Sequence, residues 1–302
     1  RRETLMAYWL LIQLGLNGIV TGSLYAILAV SFAVIFAPTR TFHFAHGSVY
    51  VYGGYFLYQF AMEWGWPLPA AIPAAVLAAA CLGVLVDRAV YTPLRRSGAG
   101  VMEILLSAFG TFIVLQNVLL LIWKSDPRTV RVPEVLKNGI PFGPLTLTPL
   151  DLITVGVAVV VFGGVAAFMR RTRLGKAMRA VENDPDVAVM VGISTERVRT
   201  AAFFLGSALV AVAAALTALD KGMEPTIGVN ALLVAVVAMI VGGVGSFPGA
   251  ALAGFFLGIV ENLGIWQIPS EWKSTITFSV LAIFILFRPT GFFGHRVARY
   301  SE

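Results

Sequence analysis

The chain has 302 residues, 58% of them hydrophobic and only 13% charged, with a formal net charge of +6. Soluble domains carry about 25% charged residues, so this chain cannot cover itself with polar surface, and an ordinary soluble fold is excluded. Its basic residues sit in short loops between apolar runs, a placement that orients helices in a membrane rather than one that grips nucleic acid.

Apolar runs recur at 8–37, 68–86, 104–123, 152–169, 201–219, 231–260 and 276–287. Crossing a bilayer as a helix takes roughly 20 apolar residues, and most of these runs qualify. Lipid offers the backbone no hydrogen-bond partner, so helices are the expected form, and nothing alternates in the manner of an outer-membrane barrel. Arg1 and Arg2 precede a run too long for the apolar region of a secretory leader, so that run reads as a first span. Cys81 lies within a span, where a thiol is ordinary packing.

After the first run comes TRTFHFAHGSVYVYGGY, residues 39–55, in which a helix would put His43 and His46 on one face. A zinc site needs three or four ligands. The remaining histidine is His295 in the distant tail, and no cluster of Cys and carboxylates joins the pair, so no metal is expected. A proton relay needs acidic partners at membrane depth, for which only Glu63 and Glu261 qualify. The better reading is a structural or path-lining turn, with Gly47 letting the chain bend and Gly53 and Gly54 letting the next helix pack closely.

The loop YTPLRRSGAG follows the next span, and Asp87 with Arg88 just before it is read as interfacial. Glu103 and Asp151 fall at span ends. Residues 170–199 carry seven Lys/Arg and are the best candidate for a cytoplasmic loop, with the two loop arginines and Arg288, Arg296 and Arg299 on the same side. Residues 124–149 then fall outside despite four basic residues, because charge steers orientation less in a long loop rich in Pro and Gly. Within 170–199 the pattern is helix–break–helix. A first helix runs from Leu174 to about Glu182; Asp184 caps a second with Pro185 in its first turn; Gly192 ends it; Ser194 or Thr195 caps the next.

Residues 220–229 are outside by this scheme and the tail is inside, so an odd number of crossings separates them. The apolar run after Asn230 is interrupted by GGVGSFPG, residues 242–249, which either separates two short spans or forms a re-entrant feature. The expected fold is therefore all-α: one polytopic transmembrane helical bundle over 1–302, with about eight or nine spans and a Gly-broken late helix. GGVGSFPG matches neither a dinucleotide-binding fingerprint nor a phosphate loop. A broken helix at Gly242, Gly243, Gly245 and Ser246 instead offers freed backbone groups that could line a substrate path, close packing being the alternative. Glu261 at the end of a long apolar run is either an ionisable group at membrane depth, and so functional, or an interfacial one. Gly254 and Gly258 form a GxxxG pair, the usual mark of a helix contact.

The stretch LGKAMRAVENDPDVAVMVGIS resembles the coupling loop of the integral permease subunits of ABC importers, in particular the branched-chain (hydrophobic) amino-acid importer family. NGIVTGSLYAILAVSFAVIF is similar to that family's first span, FHFAHGSVYVYGGY to its Asn-Phe-Ala-His-Gly motif, and VGGVGSFPGAALAGFFLGIVE to its late glycine-rich segment. The resemblance covers nearly the whole chain. It implies coupling to an ATPase through Gly175, Lys176, Arg179, Glu182, Ala188 and Gly192, with 188–192 as the core of the contact. It implies a pathway near Phe44, His46, Gly47 and Ser48, joined by the glycine break and Glu261. Two departures, His43 for the usual asparagine and Ser48 for the usual acid, leave the solute open among branched-chain amino acids, urea, amides and other carboxylates.

The partners implied are a second permease subunit, homologous or identical, two cytoplasmic ATPase subunits, an external substrate-binding protein and the lipid bilayer. The chain has no phosphate loop, so it is not expected to be an enzyme or to bind a cofactor, and ATP is used by the partners. The location that the resemblance implies is a bacterial inner membrane, and the charge pattern places the C-terminus on the cytoplasmic side. The rival reading is an ion-coupled secondary transporter or channel built on His43, His46 and Glu261. A second rival, an intramembrane enzyme, is disfavoured by the lack of a clustered nucleophile, base or metal set.

Overall fold

The computed structural model describes residues 2–288 and 290–293. In chain order its long helices are α1 (Arg2–Thr39), α2 (His46–Tyr58), α3 (Leu68–Val86), α5 (Val101–Trp123), α7 (Pro149–Arg171), α10 (Thr195–Asp220), α11 (Ile227–Gly242), α12 (Phe247–Gly264) and α13 (Lys273–Phe287). Shorter helices fill the connections: α4 (Thr92–Arg96), α6 (Glu134–Lys137), α8 (Arg173–Asn183) and α9 (Pro185–Met190). A wide five-residue turn, Gln59–Glu63, extends α2, and another, Asp87–Tyr91, fuses α3 to α4. Seven stretches are long and apolar enough to cross a membrane, and α11 is a shorter apolar helix of 16 residues. The chain is a polytopic helical bundle. Among the described residues, extended pairing is confined to a hairpin, β1 (Ile140–Phe142) with antiparallel β2 (Leu145–Leu147), inside the 124–149 loop, and a single bridge between Arg128 and Met223.

The helices divide into an inner and an outer set. The most apolar windows of α1 and α10 are 67% and 72% buried, whereas those of α5 and α13 are 11% and 6% buried. Chains in lipid gain little from hiding leucine from water, so inner helices associate through small residues that let backbones meet. Antiparallel α1 and α12 illustrate this. A Cβ added to Gly18 would lie 2.8 Å from the Ile259 Cα, one on Gly22 2.6 Å from the Phe255 carbonyl oxygen, and one on Gly254 2.6 Å from the Ala26 Cα. The expected contact of the GxxxG pair is thus met on α1 by Gly22 against Gly258 and by Ala26 against Gly254, with Gly18 continuing the seam against Ile259.

The two large loops lie at opposite ends of α7, which at 23 residues is about 34 Å long. At the hairpin end, Gln13 exchanges hydrogen bonds with the Thr146 backbone at 2.9 and 3.0 Å. At the other end, Arg96 pairs with Glu196 at 2.6 Å and Arg40 donates to the Glu182 carbonyl at 3.0 Å. The interruption at 242–249 is a tight turn between antiparallel α11 and α12, with Gly243 and Gly245 at φ 102° and 88°, conformations that suit glycine. The Phe292 and Phe293 amides bond to the Val241 and Gly242 carbonyls at 2.9 and 3.0 Å, satisfying groups that the end of α11 leaves free. The expectations for His295, Arg296 and Arg299 lie outside the described residues.

Candidate functional site

The 39–55 segment turns inward before α2 begins. Arg40, at φ 52°, ends α1 in a left-handed conformation, and residues 41–45 fold back so that His43 and His46 are 0% and 1% exposed. Gly47 is not the bend: it lies inside α2, and a Cβ there would stand 2.4 Å from the Gly228 carbonyl oxygen on α11. Its role in the fold is close approach of two helices. Gly53 meets Ala211 and Ala214 of α10 in the same way. Ser31 gives its hydroxyl proton to the Leu28 carbonyl at 2.7 Å, so the 2.9 Å contact with His46 requires His46 Nε2–H to donate to Ser31. That tautomer leaves His46 Nδ1 as an acceptor, and it has no partner among the described residues. His43 Nδ1 lies 2.8 Å from the Tyr91 hydroxyl, inside a packing of Phe203, Tyr91 and His46 rings. Phe44 packs edge-on to Phe109, and the Ser48 hydroxyl donates to the Phe112 carbonyl at 3.3 Å.

Glu261 stands in a different place. It is 2% exposed, its carboxylate accepts from the Tyr25 hydroxyl at 2.7 Å, and the Thr277 hydroxyl donates to its other oxygen. These groups border a cavity of about 300 Å³ between α1, α2, α10, α11, α12 and α13, whose polar lining includes Tyr50, Thr217, Lys221, Asn230 and Lys273. Tyr50 donates to Thr217 at 2.9 Å across that wall. A carboxylate and two ammonium groups around one apolar-sided hollow can hold a small solute bearing both charges.

The glycine break lies at the other end of α12, about 21 Å from Glu261 by helical rise. Gly242 and Gly249 touch backbone to backbone, Ser246 caps α12 by accepting from the Gly249 amide at 3.1 Å, and a Cβ on Gly245 would meet Glu182 Oε1 at 2.7 Å. The break therefore abuts α8 rather than the Glu261 cavity.

Helix α8 buries Gly175, Met178 and Val181 and turns Lys176 and Arg179 outward. Thr172 caps it by accepting from the Gly175 amide at 3.0 Å, and a Cβ on Gly175 would meet the Phe168 carbonyl oxygen at 2.3 Å, which holds α8 tightly on α7. Burial holds the Glu182 carboxyl above its ordinary value of 4.5, with Arg40 and Arg179 pulling the other way. Asp184 caps α9 by accepting from the Asp186 and Val187 amides at 2.9 and 3.0 Å. Gly192, at φ 82°, closes α9: its amide bonds to the Val189 carbonyl at 2.9 Å and the Ile193 amide to the Ala188 carbonyl at 2.9 Å. This paired closure needs a left-handed residue at Gly192. Ala188 is 3% exposed, whereas Met190 and Val191 are 83% and 70% exposed, with Val187 and Val189 beside them.

A family model described as branched-chain amino acid transport system / permease component matches residues 14–286. The chain belongs to that permease family. It is 33% identical to the high-affinity branched-chain amino acid transport system permease protein BraD of Pseudomonas aeruginosa, over 92% of this chain and 94% of the relative. It is 32% identical to the corresponding protein LivH of Escherichia coli, with the same shares covered. Among solved structures it is similar to PsaBC from Streptococcus pneumoniae in complex with Fab, with a TM-score of 0.53 at 12% identity over 91% of each chain, a likeness of fold.

In this permease the FAHG segment is buried inside the bundle while the glycine-rich turn sits at the end of α11 and α12, and the residues singled out do not converge. Phe44, His46, Gly47 and Ser48 pack between α1, α5 and α11; Glu261 faces its own cavity; Gly242, Gly243, Gly245 and Ser246 join α8. Three features escaped the sequence reading. Tyr25, Thr277 and Lys273 around Glu261 come from helices far apart in the chain. Asp87, expected at an interface, is 0% exposed and tied to Arg95 at 2.5 Å and Thr200 at 3.2 Å. The end of α1 meets α8 through Arg40. Only Asp87 carried a usable signal, since the arginines Arg88, Arg95 and Arg96 stand within ten residues of it.

Proposed function

We propose that this chain is the membrane-spanning permease of an ABC importer and forms the path for branched-chain or other hydrophobic amino acids, or a related small polar solute, by alternating access. The single observation that carries the coupling role is the α8–α9 pair. One side is packed into the bundle, the other presents an apolar cluster of Val187, Val189, Met190 and Val191 flanked by charge, as a docking surface for a second protein does. An ATPase seated there would move α8, and with it the 242–246 turn that touches Glu182. The Glu261 cavity supplies a solute site with groups for both an ammonium and a carboxylate.

In this reading nine helical crossings traverse the bilayer, α2 with its extension and α11 being the short ones. The α8–α9 end and Arg288 are cytoplasmic, and the hairpin loop is external, where a substrate-binding protein would deliver solute. The transporter would hold two permease subunits and two ATPases, with hydrolysis confined to the latter. The ion-coupled alternative is not favoured, because His43 and His46 are walled in by aromatic rings rather than facing a cavity.

The test is reconstitution into liposomes with and without the ATPase and binding protein, measuring leucine uptake. ATP-dependent uptake that needs all the components is expected. Uptake by this chain alone, driven by an ion gradient, would overturn the proposal.

A further inference from the structure

Beside α8 lies a second hollow, unrelated to the Glu261 cavity. It measures about 500 Å³ and is open to the bundle's outer surface between α1, α7 and α12, with apolar walls that include Phe162, Met169, Phe247 and Leu252. Its polar border is formed by Arg170, at the end of α7, and Arg179 of α8. Both arginines are exposed. The ion pairs among the described residues, Asp87–Arg95 and Arg96–Glu196, use neither guanidinium. The nearest acid on α8, Glu182, directs a carboxylate oxygen at Gly245. Arg171, Arg173 and Lys176 add positive charge to the same short stretch.

The depth of the groove fits one membrane leaflet. From Arg170 to Phe162 is eight residues, about 12 Å along α7, against a hydrocarbon core about 30 Å thick. A groove with apolar walls in the acyl region and, at the head-group level, two exposed guanidiniums that join no ion pair among the described residues complements a lipid carrying a phosphate, because Arg binds phosphate oxygens in a forked geometry and basic pockets between helices on the cytoplasmic side hold anionic head groups. We infer that this groove is a binding site for an anionic phospholipid, phosphatidylglycerol in type, with an acyl chain against Phe162, Met169 and Phe247 and its phosphate bridging Arg170 and Arg179. The bridge ties α8 to α7 at the point where α8 meets the 242–246 turn. The inference rests on the membrane orientation proposed above, not on the solute carried.

Native mass spectrometry of the assembled transporter, taken from nanodiscs of mixed phosphatidylglycerol and phosphatidylcholine, tests it without ATP or solute, so its outcome is independent of the transport reading. The wild type is expected to retain phosphatidylglycerol preferentially, and the Arg170→Gln/Arg179→Gln variant to lose at least tenfold of that retention. The Ala251→Phe variant, which fills the groove with its charges intact, checks the apolar half and is expected to lose retention as well. Equal retention in the wild type and both variants overturns the site. So does a wild type that holds the two lipids in the proportion of the bulk. A cross-link from the Leu252→Cys variant to a second permease chain instead of lipid overturns it too.

Discussion

The Tyr25 hydroxyl on α1 donates to the Glu261 carboxylate on α12 at 2.7 Å, joining residues 236 positions apart. A buried carboxylate that loses a donor bears the full cost of its desolvation, about 1–3 kcal/mol. Tyr25→Phe should therefore lower the melting temperature of the detergent-solubilised protein, and Tyr25→Phe combined with Glu261→Gln should cost less than the sum of the single changes. Strict additivity in that cycle would show that the bond is not a coupled unit. If the cavity holds the solute, Glu261→Gln also abolishes ATP-driven uptake while leaving binding-protein affinity unchanged.

Glycine positions should divide sharply by what stands opposite them. Gly47→Ala places a methyl 2.4 Å from the Gly228 carbonyl oxygen and, as an overpacked site between two backbones, should destabilise by about 1–3 kcal/mol. Gly156→Ala has nothing within 4 Å and should stabilise slightly, by about 0.5–1 kcal/mol, because alanine suits a helix interior better. Thermal unfolding of the pair is the measurement; equal shifts would contradict the packing described for α2 and α11.

Gly192→Ala has open space around its methyl but must hold φ 82°, which costs roughly 1–2 kcal/mol and frays the closure of α9. The expected outcome is a permease that still folds but hydrolyses ATP in the assembled complex with reduced solute movement per ATP. Met190→Glu, which changes charge on the exposed side without touching the fold, should weaken ATPase co-purification. Arg179→Glu should uncouple hydrolysis from uptake. Normal assembly and normal transport in all three variants would remove the coupling role from α8–α9.

Glu182 yields a pH dependence of fixed sign. Its carboxyl is raised in the fold, so the packed state holds its proton more tightly than the unfolded chain does. Stability from this group is present below the ordinary carboxylate value and is lost as pH rises through the raised one. Glu182→Gln should consequently melt higher than the wild type near neutral pH and lose that advantage on acidification toward pH 4. An advantage constant across the range would show that Glu182 titrates as in the unfolded chain.

The helices of this fold were legible because lipid imposes a length and a composition on each one. The α8–α9 elements were legible because caps are local: Asp184, Pro185, Gly192 and Ser194 each do in the structure what their residue types predict a few positions away. The site was less legible. Glu261 announced itself as a charge in an apolar run, but Tyr25 and Thr277 are unremarkable in sequence and become its partners only when α1 and α13 are brought to α12. Gly47 was read as a bend because glycine serves both turns and close approach, and sequence alone does not say which. The bend fell on Arg40, a residue with no intrinsic preference for a left-handed backbone.

The glycine seam between α1 and α12 has a mechanical consequence. With backbone pressed against backbone at Gly18, Gly22, Gly254 and Gly258, the seam holds little side-chain bulk to shear or repack, so the pair is expected to tilt as one stiff strut. Its lower end touches α8 at both Arg40 and Gly245, and its upper part carries Tyr25 and Glu261 on the cavity wall. A push of an ångström at the foot of such a strut reaches the cavity some 21 Å away as a rotation rather than being absorbed by soft packing on the way.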